Sequence, residues 1–266
     1  MARTANRLSE EEIGLVRESS LLVGRTLAEV ARRIAPGVST GDLDRMAEEF
    51  IRDHGGIPGF KGLYGCPSTL LISINEEVVH GLPGKRTLQE GDVASVDCGV
   101  LMRGFYGDSA YTFEVGEVSP EAQALLRVTK ECLALGIAQA VAKHRTGDIG
   151  FAVQQHAEAH GYGIVRELVG HGVGRKLHEA PEVPNYGRRG HGARLDEGMV
   201  IAIEPMVTMG RKEVSQLDDG WTVVTQDGKP SAHFEHTVAV REGKAEVLTT
   251  FSYIEDVLKE RGMAVA

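Results

Sequence analysis

Apolar residues along the chain recur first with a helical period and then with a strand period, and the sequence runs through that order twice. Ile13, Val16, Ser20, Val23, Leu27, Val30 and Ile34 alternate spacings of three and four, which lines them up on one face of a helix. Ser9 with Glu12 supplies a capping box ahead of that helix, and Pro36 closes it. A second helix is predicted from Thr40, with Leu43, Met46, Ala47, Phe50 and Ile51 on its buried face and a stop at His54-Gly55-Gly56. Strands follow, over residues 92 to 100 and from Tyr106 to Val115.

The plan returns about 106 residues later. Ser119 caps a helix with Pro120 at its first position, and Leu125, Val128, Cys132 and Leu135 keep helical register. Thr146-Gly147-Asp148-Ile149 echoes Thr40-Gly41-Asp42-Leu43, and His160-Gly161 ends the next helix as His54-Gly55 ends its counterpart. Leu88-Gln89-Glu90-Gly91 is matched by Leu195-Asp196-Glu197-Gly198; each leads into an apolar strand that meets an acid at the same place, Asp97 in one and Glu204 in the other. Coincidence between two common helix-pair patterns is the competing reading, but the shared order of caps, stops and acids favours internal duplication. Helices followed by strands in each half predict an α+β fold with helices on one side of antiparallel sheet. The expected organisation is a single domain over 1–266 whose internal halves are about 9–116 and 117–250. A site between the halves would draw acids from both.

Asp97 interrupts the apolar strand Asp-Val-Ala-Ser-Val-Asp-Cys-Gly-Val, and Asp108 lies in the next one. A hairpin turning at Met102-Arg103 would pair residues whose numbers sum to 205, setting Asp97 opposite Asp108. Directly opposed side chains on one face repel if both are charged, and a metal ion is the natural counter-charge. Cys98 would point to the other face, into the core. The C-terminal half adds Glu204 in Met-Val-Ile-Ala-Ile-Glu-Pro and Glu235 in His-Phe-Glu-His-Thr-Val, acids too costly to bury in such apolar runs without a partner. Between them lies the glycine-rich segment Gly170 to Pro181 with His171 and His178; the glycines around His171 are expected to leave it free to approach a ligand closely. Four carboxylates and one imidazole are too acidic for a structural zinc site and suit two divalent ions.

Composition narrows the class. The 266 residues carry a formal charge of −9, which argues against binding nucleic acid or an anionic membrane. Cys66, Cys98 and Cys132 form no C-x-x-C pair, so a reducing, cytoplasmic setting is expected rather than a disulfide framework. No run of 18 apolar residues and no signal-peptide pattern precedes the acidic Ser9-Glu10-Glu11-Glu12. The 33 glycines imply many tight turns, and ten histidines call for a chemical role. Competing motifs fail: Gly170 to Lys176 lacks the order of a phosphate loop, His178-Glu179 is followed by Ala180-Pro181 rather than an H-E-x-x-H helix, and Ser109 has no nucleophile elbow around it.

Five segments together resemble the type I methionine aminopeptidases, over nearly the whole chain from about Ser9 to Thr250. They are Ser73 to Pro83 with His80, the Asp97 to Asp108 hairpin, Gly170-His171-Gly172 through His178-Glu179-Ala180-Pro181, Ile203-Glu204-Pro205-Met206, and Phe234-Glu235-His236-Thr237. The resemblance implies the pita-bread fold, two pseudo-symmetric halves with helices outside a curved antiparallel sheet. It implies that Asp97, Asp108, His171, Glu204 and Glu235 hold two divalent metal ions, Mn, Fe, Co or Zn, with Asp108 and Glu235 bridging. It implies a catalytic set of His80, His178 and Glu204: Glu204 takes and returns a proton, His178 bonds the substrate carbonyl, and His80 bonds the amide being cleaved. The two ions would make water acidic enough to attack near neutral pH.

The implied substrate is the N-terminal methionine of nascent polypeptides, with the ribosome as a candidate partner and no role for a membrane or for nucleic-acid recognition. Phe60, Leu71, Leu177 and Trp221 are the candidate substrate-pocket residues beside His80 and His178. Leu63, Cys66, Leu71 and Leu177 stand where the family often has Tyr, an aromatic, Cys and Phe; these replacements keep the pocket apolar. The alternative is a proline-specific aminopeptidase or prolidase of the same fold, which usually carries an extra N-terminal domain. The short spacing from His171 to Glu204 speaks against the type II enzymes. A metal-free binding module of this fold would have lost ligands that are all present here.

Overall fold

The Ser9 capping box forms as expected: the Ser9 N–H donates to the Glu12 carboxylate at 2.8 Å and the Glu12 N–H to Ser9 Oγ at 3.3 Å. These bonds satisfy donors that the first helical turn would otherwise leave unpaired. In the computed structural model, which describes residues 7–263, the cap starts helix α1 (Glu10–Arg33). Its stripe of Val16, Val23, Leu27 and Val30 is wholly shielded from solvent. Helix α2 (Thr40–Asp53) is capped by the Ser39 hydroxyl, which accepts from the Asp42 N–H. Phe50 is only partly buried, with Arg25 and His54 against its ring.

Helices α3 (Pro120–Gln139) and α4 (Thr146–Ala159) repeat the pair. α2 and α4 each span 14 residues, and His54 and His160 cap their C-termini. Leu135 departs from the predicted stripe and is 40% exposed. Ten residues beyond Leu125 it has drifted about 80° around the helix, off the packed face. The two Leu-x-x-Gly segments also behave alike: Leu88 and Leu195 are fully buried, and Gly91 and Gly198 take φ of 88° and 85°. Glycine alone enters that left-handed region without cost.

The strands are antiparallel throughout the named sheets. Val93–Met102 pairs with Phe105–Glu114 on one edge and with Leu70–Ile74 and Ile57–Pro58 on the other. In the second half, Val200–Ile203 lies between His236–Ala239 and Gly170–Gly172, with Glu179–Val183 beyond. Helix α1 covers the first hairpin, α3 packs on Val200–Ile203, and a last helix α5 (Ser252–Glu260) lies against α1. This is the expected α+β arrangement of outer helices on antiparallel sheet.

The hairpin register corrects the sequence reading. Met102 pairs with Phe105 and Asp97 with Ala110, so paired numbers sum to 207 rather than 205. The turn is Arg103-Gly104, both at positive φ, 52° and 84°, the two-residue turn whose twist suits a hairpin. Asp97 therefore sits diagonally from Asp108, while the shift of two residues keeps both on one face.

α1 approaches this hairpin closely because Gly107 has no side chain: a Cβ there would lie 2.4 Å from the Ser20 nitrogen. Ser19 Oγ, one residue away, donates to the Phe105 carbonyl at 2.8 Å. Gly107→Ala is expected to cost about 1–3 kcal/mol through overpacking. Gly14→Ala, at a position of α1 where a Cβ meets nothing within 4 Å, is expected to gain about 0.5–1 kcal/mol. Urea midpoints of the two variants should move in opposite directions.

Candidate metal centre

A seam of hydrogen bonds brings the acids of the two halves together. Ser109 Oγ donates to the Glu235 carbonyl at 2.7 Å, and the Glu235 N–H donates to the Ala110 carbonyl at 2.9 Å. Thr237 Oγ1 donates to the Asp108 carbonyl at 2.7 Å and Thr112 Oγ1 to the His233 carbonyl at 2.6 Å. The 108–112 strand is thus laced to residues 233–237. Asp108 and Glu235 project from opposite sides of that seam into one space, and they are 3% and 2% exposed.

Glu204 enters from the end of the Val200–Ile203 strand, where its carbonyl accepts from Asn185 Nδ2 at 2.9 Å. His171 is the middle residue of Gly170–Gly172, the strand between Val200–Ile203 and Glu179–Val183. Its flanking glycines also serve the packing of the sheet. A Cβ on Gly170 would lie 2.4 Å from the Ala202 carbonyl oxygen, and one on Gly172 would lie 2.3 Å from that of Ala180. His171 is held in place by this packing.

His171 Nδ1 lies 3.0 Å from the Gly172 carbonyl, so Nδ1 carries the proton and the Nε2 lone pair is available. Nε2 is 3.7 Å from Asp108 Oδ2 and 3.6 Å from Glu204 Oε1. One ligand atom each from Asp108, His171 and Glu235 fall within 4.8 Å of one another. Asp97 faces the same space from the neighbouring strand.

The electrostatics suit a cation. Burial pushes the Asp97 carboxyl from 3.8 up to about 7. Burial first, then the neighbouring acids, raises Asp108, Glu204 and Glu235 well above the usual carboxylate range. Asp97 Oδ1, Asp108 Oδ1 and Glu235 Oε1 are buried with no hydrogen-bond donor among the described residues. Bare buried carboxylate oxygens are costly unless they coordinate, and this oxygen-rich set with one imidazole fits hard or borderline divalent ions. Burial, then His178, lowers His171 to about 4, so the imidazole is neutral and can act as a ligand.

The acids form one side of a cavity of about 480 Å³. The other side is apolar: Phe60, Cys66, Leu71 and Leu177 pack together, with Leu63 and Trp221 partly buried against them. Leu71 pairs directly with Asp97 across adjacent strands, which joins the two sides. Gly99 admits the Phe60 ring, since a Cβ there would lie 2.6 Å from Phe60 Cε1. His80, at φ 62°, and His178 both line the cavity. The His178 ring meets His171 edge-on at 4.4 Å and stacks with the exposed Tyr64 at 5.7 Å. Burial lowers both imidazoles, His178 adding to the effect on His80. Every site residue named from the sequence lines this one cavity.

One neighbour escaped the sequence reading. His233 is 2% exposed, its Nε2 has no hydrogen-bond partner among the described residues, and it lies 3.7 Å from Glu204 Oε2. Its spacing of two from Glu235 was the available signal, because alternate residues of an extended chain share a face.

Residues 14–242 match the model of metallopeptidase family M24. A methionine aminopeptidase of Clostridium perfringens is 53% identical over 241 residues, covering 91% of this chain and 97% of that relative. The crystal structure of methionine aminopeptidase from Thermotoga maritima superposes with a TM-score of 0.91 at 42% identity, covering 93% of this chain and all of that one. An Xaa-Pro dipeptidase from Bacillus anthracis is 21% identical with a TM-score of 0.75, covering 92% of this chain and 62% of that one, and so shares the fold alone. With a family match over residues 14–242 and a relative 53% identical over 91% of the chain, the chain belongs to metallopeptidase family M24.

Proposed function

We propose that this protein is a methionine aminopeptidase that hydrolyses the first peptide bond of chains beginning with methionine. One observation carries the reading: Asp97, Asp108, His171, Glu204 and Glu235 line one side of a cavity of about 480 Å³ whose other side is apolar, in a chain 53% identical to a methionine aminopeptidase. Asp97, Asp108, His171, Glu204 and Glu235 would hold two divalent ions, Mn, Fe, Co or Zn. When bound, such ions supply acidified water and a polarised carbonyl.

The chain's own groups do the rest. The apolar wall around Phe60, Leu71, Leu177 and Trp221 takes the methionine side chain and keeps bulk water from it. Glu204 accepts a proton from the attacking water and returns it to the departing amine. His178 donates to the carbonyl oxygen of the bond being cleaved, and His80 bonds the amide beside it. With Leu63, Cys66, Leu71 and Leu177 in place of larger or differently shaped residues, the pocket stays apolar but its outline is this chain's own. Three cysteines, all free and buried, suit a reducing cytoplasm, where nascent chains at the ribosome would be the substrates. No helix among the described residues is long and apolar enough to cross a membrane.

Protein stripped of metal and then given Mn2+ or Co2+ is expected to release Met from Met-Ala-Ser and to leave Xaa-Pro peptides intact. Cleavage of Xaa-Pro without Met release would favour a proline-specific enzyme instead. Glu204→Gln keeps the shape and loses the base, and should lower kcat by about 10²–10⁴-fold. Full turnover by that variant would remove Glu204 from proton transfer.

Ion binding is also tied to pH. With carboxyl pKa values raised in the folded state, Asp97 to about 7 and the other three in the same direction, the folded protein holds more protons than the unfolded chain. Its stability therefore falls as pH rises through the folded values. His171, lowered from 6.5 to about 4, and His233, lowered from 6.5 to about 3, act in the opposite sense, but only below 6.5, where unfolded imidazoles gain charge. Above that the carboxylates set the sign. By calorimetry, Tm of the metal-free protein should fall as pH rises above 6.5 through the folded value of Asp97, about 7, and saturating Mn2+ should abolish the fall, because the ions bind the ionised acids.

A further inference from the structure

The helix pair α3 and α4 carries a second group of ligand-type side chains that the peptidase reading does not use. His156 on α4 and His160 at its C-terminal cap are four residues apart, which brings both rings to one face. Their centroids are 4.5 Å apart at 56°. Glu131 reaches across from α3, with Oε2 2.7 Å from His156 Nε2. One ligand atom from each of the three residues lies within 4.8 Å of the other two.

Two further contacts aim these side chains. Arg127 Nη1 donates to Glu131 Oε1 at 3.0 Å, which leaves Oε2 turned towards the histidines. His160 Nδ1 donates to the His156 carbonyl at 2.9 Å, so its lone pair is on Nε2. A ligating histidine held through its other nitrogen by a carbonyl, and a ligating carboxylate held by a second donor, are what metal-binding side chains generally require. His160 is exposed, and the Glu131 and His156 side chains are 40% and 24% exposed. An ion can therefore enter from solvent without any opening of the fold.

We propose that Glu131, His156 and His160 form a peripheral site for one late first-row divalent cation, the class of Zn2+, Ni2+ and Cu2+. Two imidazoles and one carboxylate favour these ions over Mn2+, in contrast to the oxygen-rich central cavity. A tetrahedral ion held by three such side chains keeps its fourth position for water. The ion takes the place of the hydrogen now shared between Glu131 Oε2 and His156 Nε2; that proton is released to water, and the imidazole that binds carries its remaining proton on Nδ1. Because its ligands come from two helices, it pins α4 to α3, the helix that packs on the strand leading into Glu204.

Zinc stoichiometry separates this site from the central one. Unsubstituted protein, H156Q and H160Q are freed of metal and equilibrated with a small excess of Zn2+, and bound zinc is measured by equilibrium dialysis. Circular dichroism checks that each variant is folded. The unsubstituted protein is expected to hold one equivalent more than either variant, while all three, loaded with Mn2+ instead, hydrolyse Met-Ala-Ser equally. Equal zinc in all three, or retention of the extra equivalent by either variant, overturns the peripheral site. Loss of Met-Ala-Ser hydrolysis by all three would instead count against the peptidase reading and leave the zinc comparison intact.

Discussion

Four carboxylates withdrawn from water into one small space repel one another, and the fold is built to hold them there. Asp108 and Glu235 are almost fully buried and share their neighbourhood with Asp97 and Glu204. The seam of hydroxyl and amide bonds between residues 108–112 and 233–237 carries Asp108 and Glu235. Backbone carbonyls of Asp108, Glu204 and Glu235 are each held by a side-chain donor, so the main chain is fixed while Asp97 Oδ1, Asp108 Oδ1 and Glu235 Oε1 have no hydrogen-bond partner among the described residues. Oxygens left bare in this way are available to cations, which turns a destabilising cluster into a binding site.

Glycine has a related part. The close approaches of Gly107 to α1, of Gly99 to Phe60, and of Gly170 and Gly172 to the strands on either side of them leave no space for a Cβ. At those positions glycine works through its missing side chain rather than through unusual backbone angles. The packing it allows sets His171 beside Asp108 and Glu204, and Phe60 against Leu71 and Leu177. The acid cluster and an apolar side-chain pocket thus meet across two adjacent strands, where Leu71 and Asp97 are directly paired.

The histidines divide by environment. His171, His178 and His80 stand around the cavity, where burial keeps them neutral, as suits ligands and hydrogen-bond donors. His233 is shut in behind Glu204, facing an acid rather than solvent. His156 and His160 are on the outside of a helix, where spacing along the chain is enough to pair them.

What the sequence determined alone was local. The Ser9 cap, the two helix pairs 106 residues apart, and the shared face of Asp97 and Asp108 follow from period, capping and strand alternation, which act over a few residues. The hairpin register was within reach too, had Arg103-Gly104 been read as the turn, and a slip of two residues did no harm because faces repeat every second residue. The role of the glycines beside His171, and the place of His233, depended on atoms far away in the chain. Ala202, Ala180 and Glu204 decide them, through contacts that no local pattern records. Tertiary structure alone set the distances between the five acidic and imidazole groups, because they come from both halves and are joined by bonds spanning more than 120 residues.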